Sequence, residues 1–178
     1  AEEVLNNPHN DLVGFGLAGD ELHFPPKLFK KTFDMLKEAE FPITVHAGEW
    51  DGPERIRDAI ILLHPTRLGH GVRSIEDPKL IDQIKDLDIV LETCPTSNVA
   101  TKIYKDYKDH PVKKLFDQGI KITVNSDDPP FFNASIAGEY NVMKNLGLSD
   151  DDLKSLTRNA IESAFCDQQT KSRLLKKI

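Results

Sequence analysis

Residues able to bind a metal ion or to transfer a proton recur where strand-like segments of this chain end. Such residues end four segments, at His46 with Glu49, His70, Cys94, and Asp127 with Asp128, and a fifth segment ends at Gly19, which can offer a backbone N–H. Imidazole and carboxylate groups from different strands can bind a divalent ion, while a separate acid transfers protons. The His46 to Glu49 spacing fits neither the HExxH zinc proteases nor the HxE signature of cytidine-type deaminases. The pattern therefore predicts a metal-dependent site built from several strand ends.

Each candidate also has a plain structural explanation. A lone imidazole such as His46 often belongs to a core, and Asp before Pro, as at Asp128, is common in turns. The glycines flanking His70 let a ligand approach the backbone, but they also permit tight turns. We interpret Cys94 as part of a pocket wall, because no base is paired with it. The remaining histidines are predicted to be structural or exposed: His9, His23, His64 and His110.

Gly14-Phe-Gly16-Leu-Ala-Gly19 formally matches GxGxxG, but it is a poor dinucleotide-binding motif. Its glycines lie within and at the end of a strand, and Pro25 with Pro26 delays the next helix. A backbone N–H donated by Gly19 to a ligand is the better functional interpretation.

Strand-like runs alternate with helical patterns along most of the chain. The predicted strands cover residues 12–17, 43–46, 67–69, 89–93 and 120–125. The predicted helices cover residues 25–39, 53–64, 78–87, 111–118, 136–146, a run capped by Ser149, and a last one from about Asp167. Such alternation predicts right-handed crossovers and a parallel sheet.

Which parallel sheet this is depends on where the candidate site residues lie. A doubly wound sheet collects ligand groups at one switch point, whereas a (β/α)₈ barrel collects them from several strand ends. Every strand end contributes here, which favours an α/β (TIM) barrel. A barrel needs eight strands and about 250 residues. We therefore expect residues 1–178 to be the C-terminal part of one barrel domain, without its N-terminal strands.

Composition restricts the possible partners. The formal net charge of -6 argues against a general nucleic-acid binder and favours a small-molecule substrate. Two distant cysteines, Cys94 and Cys166, suggest neither a disulfide framework nor a thiolate zinc cluster, so we expect a reducing, cytoplasmic location. No apolar stretch approaches the roughly 20 residues that a membrane helix needs, so no membrane partner is expected.

Five separated motifs together resemble the adenosine deaminase family of metal-dependent amidohydrolases. They are Leu17-Ala-Gly19-Asp20-Glu21, His46-Ala-Gly-Glu49, Arg67-Leu-Gly-His70-Gly71, Cys94-Pro-Thr-Ser-Asn98 and Ser126-Asp-Asp128-Pro129. The likeness covers nearly the whole chain from Leu12. It implies the same barrel, of which this chain would hold about the last five strands, and zinc-dependent hydrolysis of adenosine, and of deoxyadenosine, to the inosine product and ammonia in purine salvage.

The resemblance also implies a role for each matching residue. His46 and Asp127 would be zinc ligands, and Glu49 would protonate N1 of the purine. His70 would orient and deprotonate the attacking water. Asp128 would hydrogen-bond N7, and the Gly19 amide would meet N3.

Two departures from the family pattern have consequences. The family's His-x-His ligand pair does not occur here, so we expect it upstream of Ala1 and expect this chain alone to be inactive, since a catalytic zinc normally has at least three protein ligands. Gly16 stands where relatives often carry Asp, which we expect to affect only the packing beneath the site.

Two rival functions remain open. The first is an adenine or other aminopurine deaminase. Gly69, where the adenine-specific branch would favour Asp, favours adenosine. The second is a relative without catalytic activity that binds a purine.

Overall fold

Five short parallel strands form one sheet in the computed structural model, which describes all 178 residues. The strands are β1 (Phe15–Leu17), β2 (Ile43–Ala47), β3 (Arg67–His70), β4 (Val90–Thr93) and β5 (Ile122–Val124). Their spatial order is β1-β2-β3-β4-β5, so each strand pairs with its neighbour in sequence. A doubly wound sheet would reverse its strand order at a switch point. The uninterrupted order is that of a singly wound barrel wall.

Helices follow the strands and cover the outer face of the sheet. Before β1 lies α1 (Glu2–Asn6), and the later helices are α2 (Lys30–Glu38), α3 (Pro53–Leu63), α4 (Pro78–Asp86), α5 (Pro95–Ala100), α6 (Val112–Asp117), α7 (Pro129–Phe132), α8 (Ile136–Asn145), α9 (Asp150–Ser163) and α10 (Gln168–Leu175). Short 3₁₀ turns lie at Pro26–Leu28, Val72–Glu76 and Tyr107–Asp109. No helix combines the length and apolar character needed to cross a bilayer.

The predicted strands and long helices are confirmed, with shifted ends. β1 was expected from Leu12 and β5 from Ile120, yet each contains only three residues. The helices α1, α5 and α7, of five, six and four residues, were not predicted. Such short segments carry little periodicity, although α6, also of six residues, was predicted within residues 111–118.

One hydrophobic core lies between the sheet and its helices. Side chains alternate along each strand, and Val45, Leu68 and Leu91, which pair in register, point away from the barrel interior and are completely buried. Polar side chains occupy the interior-facing positions, as with Thr44, which pairs in register with Arg67. The sheet thus keeps one face for packing and one for chemistry.

Candidate active site

Four of the predicted site residues meet at the carboxyl ends of three strands. His46 lies near the end of β2, His70 ends β3, and Asp127 lies three residues beyond β5. Glu49 lies in the turn after β2, where its Oε2 is 3.1 Å from Nε2 of His46 and its Oε1 is 3.6 Å from Nδ1 of His70. Nε2 of His70 is 3.8 Å from Oδ2 of Asp127. The structure therefore brings together two imidazoles and two carboxylates.

The turn that carries Glu49 is held by a second acid, Glu21. Its buried carboxylate accepts backbone N–H groups from Gly48 at 2.7 Å, Glu49 at 2.9 Å, Asp51 at 2.8 Å and also Trp50. Oε2 of Glu21 lies 4.0 Å from Nδ1 of His46 as well. Glu21 was named in a motif, but no function was predicted for it, because its partners are main-chain groups.

Two of the site residues have an unusual backbone conformation. His70 (φ 60°) and Asp127 (φ 54°) are both in the left-handed region, which non-glycine residues seldom adopt. Gly48 (φ 80°) reverses the chain between His46 and Glu49, where a Cβ would lie 2.3 Å from Cδ1 of Ile56. Strained residues of this kind persist where the surroundings over-determine them, and they cluster at active sites.

The two imidazoles lie 4.5 Å apart but have opposite shifts in pKa. Burial opposes the charging of His46, yet the hydrogen bond and charge of Glu49 outweigh it and raise the pKa of His46. Burial dominates at His70 and lowers its pKa, despite the opposing charge of Glu49. Burial raises the pKa of Glu49, but the His46 hydrogen bond and the His70 charge reverse this and leave it lowered. His46 and Glu49 thus each favour the charged form of the other.

The donor set is suited to a divalent metal ion. Ligand atoms of His46, Glu49 and His70 lie within 4.8 Å of one another, as do those of His70, Cys94 and Asp127. Imidazole nitrogen and carboxylate oxygen are ligands that zinc accepts. Nδ1 of His46 is buried without a hydrogen-bond partner, 4.0 Å from the Glu21 carboxylate that could orient it. His70 belongs to both groups, whereas the predicted ligands His46 and Asp127 belong to one group each. The types of donor present fit a metal ion.

The other predicted residues border the cluster. Gly19 (φ 120°) is exposed at the end of β1 with open space beside its α-carbon, and with His46 it lines a cavity of about 90 Å³. Asp128 is exposed at the start of α7 and makes no capping hydrogen bond with its side chain. Burial raises the pKa of Cys94 well above its usual range, so this thiol is neutral.

Two further residues belong to the site and were not assigned to it by the sequence. Asn98, named only as the last residue of a motif, is fully buried and contacts both Glu49 and His70. His110 was predicted to be structural or exposed; it is buried and lies 3.0 Å from Oδ1 of Asn98. The signal for Asn98 was its place in the motif after β4. No signal in the sequence pointed to His110, because its loop is distant from the other site residues in sequence and reaches them only in the folded chain.

Sequence comparison matches residues 2–178 to the family model described as adenosine deaminase. Adenine deaminase of Sinorhizobium medicae is 43% identical over 176 residues, which are 98% of this chain and 54% of that protein. Adenine deaminase of Rhizobium rhizogenes is 43% identical over 180 residues, which are 100% of this chain and 56% of that protein. The chain thus spans about half the length of these curated relatives.

Solved structures extend the likeness to three dimensions. Adenine deaminase from Arthrobacter aurescens has a TM-score of 0.92 at 30% identity, with 99% of this chain and 54% of that chain covered. A zinc-bound amidohydrolase from Burkholderia ambifaria has a TM-score of 0.88 at 28% identity, with 97% and 49% covered. The N6-methyl-AMP deaminase of Arabidopsis thaliana has a TM-score of 0.86 at 28% identity, with 97% and 51% covered. The predicted fold is confirmed: the sheet matches the C-terminal part of an amidohydrolase barrel.

Proposed function

Because the chain belongs to the adenosine deaminase family, we propose that the complete protein hydrolyses the 6-amino group of a purine and releases ammonia. The observation that carries this proposal is the convergence of His46, Glu49, His70 and Asp127 at one edge of the sheet. Residues 1–178 would form the C-terminal part of a single barrel domain. Strands outside the chain would close the barrel and complete the site.

His46 and Asp127 would bind a zinc ion together with ligands from outside the chain, since two protein ligands are too few for a catalytic zinc. When bound, zinc lowers the pKa of a water molecule to about 7 and so supplies a nucleophile at neutral pH. A metal ion and a proton compete for the same lone pair of His46. Binding of the ion at Nε2 of His46 would therefore replace the hydrogen bond between that ring and Oε2 of Glu49.

The chain's own residues would then act on the purine. Glu49 gives a proton to N1 as the water oxygen adds to C6, and His70 orients that water and takes its proton. The proton taken from the water then passes to the amino nitrogen, and the hydrogen left on the new C6 oxygen passes to Glu49. The bond between C6 and the amino nitrogen breaks, ammonia leaves and a 6-oxopurine remains. Asp128 would hydrogen-bond N7, and the Gly19 N–H would donate to N3.

Adenine is the first substrate to test, with adenosine second. The relatives compared above are named adenine deaminase, so the predicted preference for adenosine has no support among them. Gly69 is the feature on which that preference rested, and a Cβ there would lie 3.2 Å from Cα of His46. An Asp at this position would crowd the proposed ligand, so Gly69 has a packing explanation that is independent of the substrate.

The test is ammonia release by the complete protein from adenine, adenosine and deoxyadenosine, with zinc content measured in the same preparation. We expect about one zinc per active site and turnover of at least one substrate. Glu49→Gln keeps the side-chain shape but holds no transferable proton, so its rate should fall about 10³-fold with zinc retained. Glu54→Gln, an exposed change five residues later, is the matched control. Unchanged turnover by Glu49→Gln would remove Glu49 from its role, and no turnover of any purine would refute the function.

A further inference from the structure

Asn98 connects the two groups to which we assign proton chemistry. Its Nδ2 lies 2.8 Å from Oε1 of Glu49 and 3.2 Å from Nδ1 of His70. All three side chains are buried. We propose that Asn98 is a positioning residue for the deamination proposed above, and that His110 fixes the direction in which its amide points.

The orientation begins at a main-chain group of α6. The Val112 N–H donates to Nδ1 of His110 at 3.1 Å. Because a backbone N–H can only donate, Nδ1 carries no hydrogen, and the hydrogen of the neutral ring is on Nε2. Burial lowers the pKa of His110 to about 3, which keeps the ring neutral. The Tyr104 ring packs edge-on against it with centroids 4.8 Å apart.

The His110 ring then determines the amide. Its Nε2–H faces Oδ1 of Asn98 at 3.0 Å, and only the oxygen of an amide can accept that hydrogen. The Nδ2 group is therefore directed to Glu49 and His70. The opposite orientation would place Oδ1 against a carboxylate oxygen and Nδ2 against a donor. Both ends of Asn98 thus select the same orientation.

This arrangement gives the two oxygens of Glu49 different tasks. Oε1 accepts from Asn98, so Oε2, on the His46 side, is the oxygen that would hold the transferable proton. The second Nδ2 hydrogen points at Nδ1 of His70 and directs the opposite nitrogen, Nε2, towards Asp127. Neutral His70 with its hydrogen on Nε2 would orient an oxygen there by donating to it. The contact therefore favours the orienting part of the proposed His70 role over the proton-accepting part, because a ring nitrogen that already carries a hydrogen cannot accept another.

The experiment uses the complete zinc-loaded protein and measures kcat and KM separately. Asn98 contacts two proposed catalytic groups and no proposed substrate atom, so Asn98→Ala should lower kcat by 10- to 100-fold and change KM less than threefold. His110→Leu should lower kcat by about 10-fold, and His110→Gln, which retains an N–H donor, should recover most of it. Combining Asn98→Ala with His110→Leu should give no more than the Asn98→Ala loss, because both act through one contact. Asn141→Ala on α8 is the exposed control.

Equal kcat in Asn98→Ala and the parent, or losses from the two sites that multiply in full, would overturn the proposal. A crystal structure of Asn98→Ala separates this result from failure of the proposed function, because it needs no turnover. We expect Glu49 and His70 to leave their present positions while the strands stay in place. Unmoved side chains would refute the positioning role even if no purine proved to be a substrate.

Discussion

At the scale of single residues, the site separates groups of the same chemical type by their surroundings. His46 and His70 are neighbouring imidazoles, yet Glu49 raises the pKa of one and burial lowers that of the other. Oppositely shifted groups are typical of sites that divide acid and base tasks. His110 extends the pattern, because burial lowers its pKa to about 3. Its neutral ring donates a hydrogen bond to Asn98 and accepts one from the Val112 N–H.

The buried, neutral His110 predicts a pH dependence of stability. Its pKa is about 3 when folded and ~6.5 when unfolded, so below pH 6.5 the unfolded chain binds a proton that the folded chain does not. The stabilisation from a neutral, buried His110 is complete above pH 6.5 and is lost as the pH falls towards 3. Between pH 7 and 5 the free energy of unfolding should therefore fall by about 2 kcal/mol.

Urea denaturation of the complete protein at several pH values measures this effect. His110→Gln should lose about 2 kcal/mol less than the parent between pH 7 and 5, whereas His9→Gln, a change of an exposed imidazole, should follow the parent. Parallel curves for His110→Gln and the parent would show that His110 is protonated in the folded protein.

The site could be predicted from the sequence only in part, for reasons visible in individual residues. His46 and His70 lie at strand ends, Glu49 and Asp127 lie just beyond strands, and parallel strands bring their ends to one edge. The sequence therefore indicated their meeting. Asn98 and Glu21 act through hydrogen bonds to side-chain and main-chain atoms 27 or more positions away. No local pattern encodes such pairs.

At the scale of elements, strand ends and some short helices were not predicted, because they too depend on contacts between distant residues. The run at 120–125 is hydrophobic, but only Ile122–Val124 is assigned to β5, where Leu91, Glu92 and Thr93 pair with it in register. The helix α5 has Pro95 in its first turn, where proline is tolerated, followed by residues of low helix propensity. Pairing and packing determine both boundaries.

The start of α9 could be predicted from local sequence alone, because Ser149 caps it. Ser149 accepts from the Asp152 N–H at 3.2 Å, and the Asp152 carboxylate accepts from the Ser149 N–H at 2.8 Å, forming a capping box. Ser149→Ala should lower the unfolding free energy by about 1 kcal/mol, because backbone donors of the first turn lose their acceptor. Equilibrium denaturation measures the change. Ser155→Ala, an exposed change within the same helix, should be neutral or slightly stabilising, and an equal loss there would show that the cap contributes nothing.

At the scale of the whole molecule, the interior face of the sheet carries paired polar side chains that are only partly buried. Arg67 lies 3.2 Å from Oε1 of Glu92, Thr44 donates to Glu92 at 2.6 Å, and the Arg67 guanidinium lies over the Phe165 ring at 3.6 Å. Polar groups arranged in this way on the inner face occupy the position of a barrel's packed interior. Charges that are paired but only partly buried gain from further enclosure only if the pairing is kept. The strands proposed to close the barrel must therefore accommodate this ion pair.

Residues 1–178 expressed alone should consequently behave differently from the complete protein. β1 and β5 are edge strands, and unpaired edges together with an uncovered inner face favour association with other chains. We expect sedimentation to show oligomers or aggregates, and zinc titration to show binding at least 100-fold weaker than in the complete protein, because only His46 and Asp127 remain as proposed ligands. Co-expression with the preceding segment of the complete protein should restore a single species and zinc retention. A monomeric isolated chain that binds zinc as tightly as the complete protein would contradict both the proposed ligand set and the proposed division of the barrel.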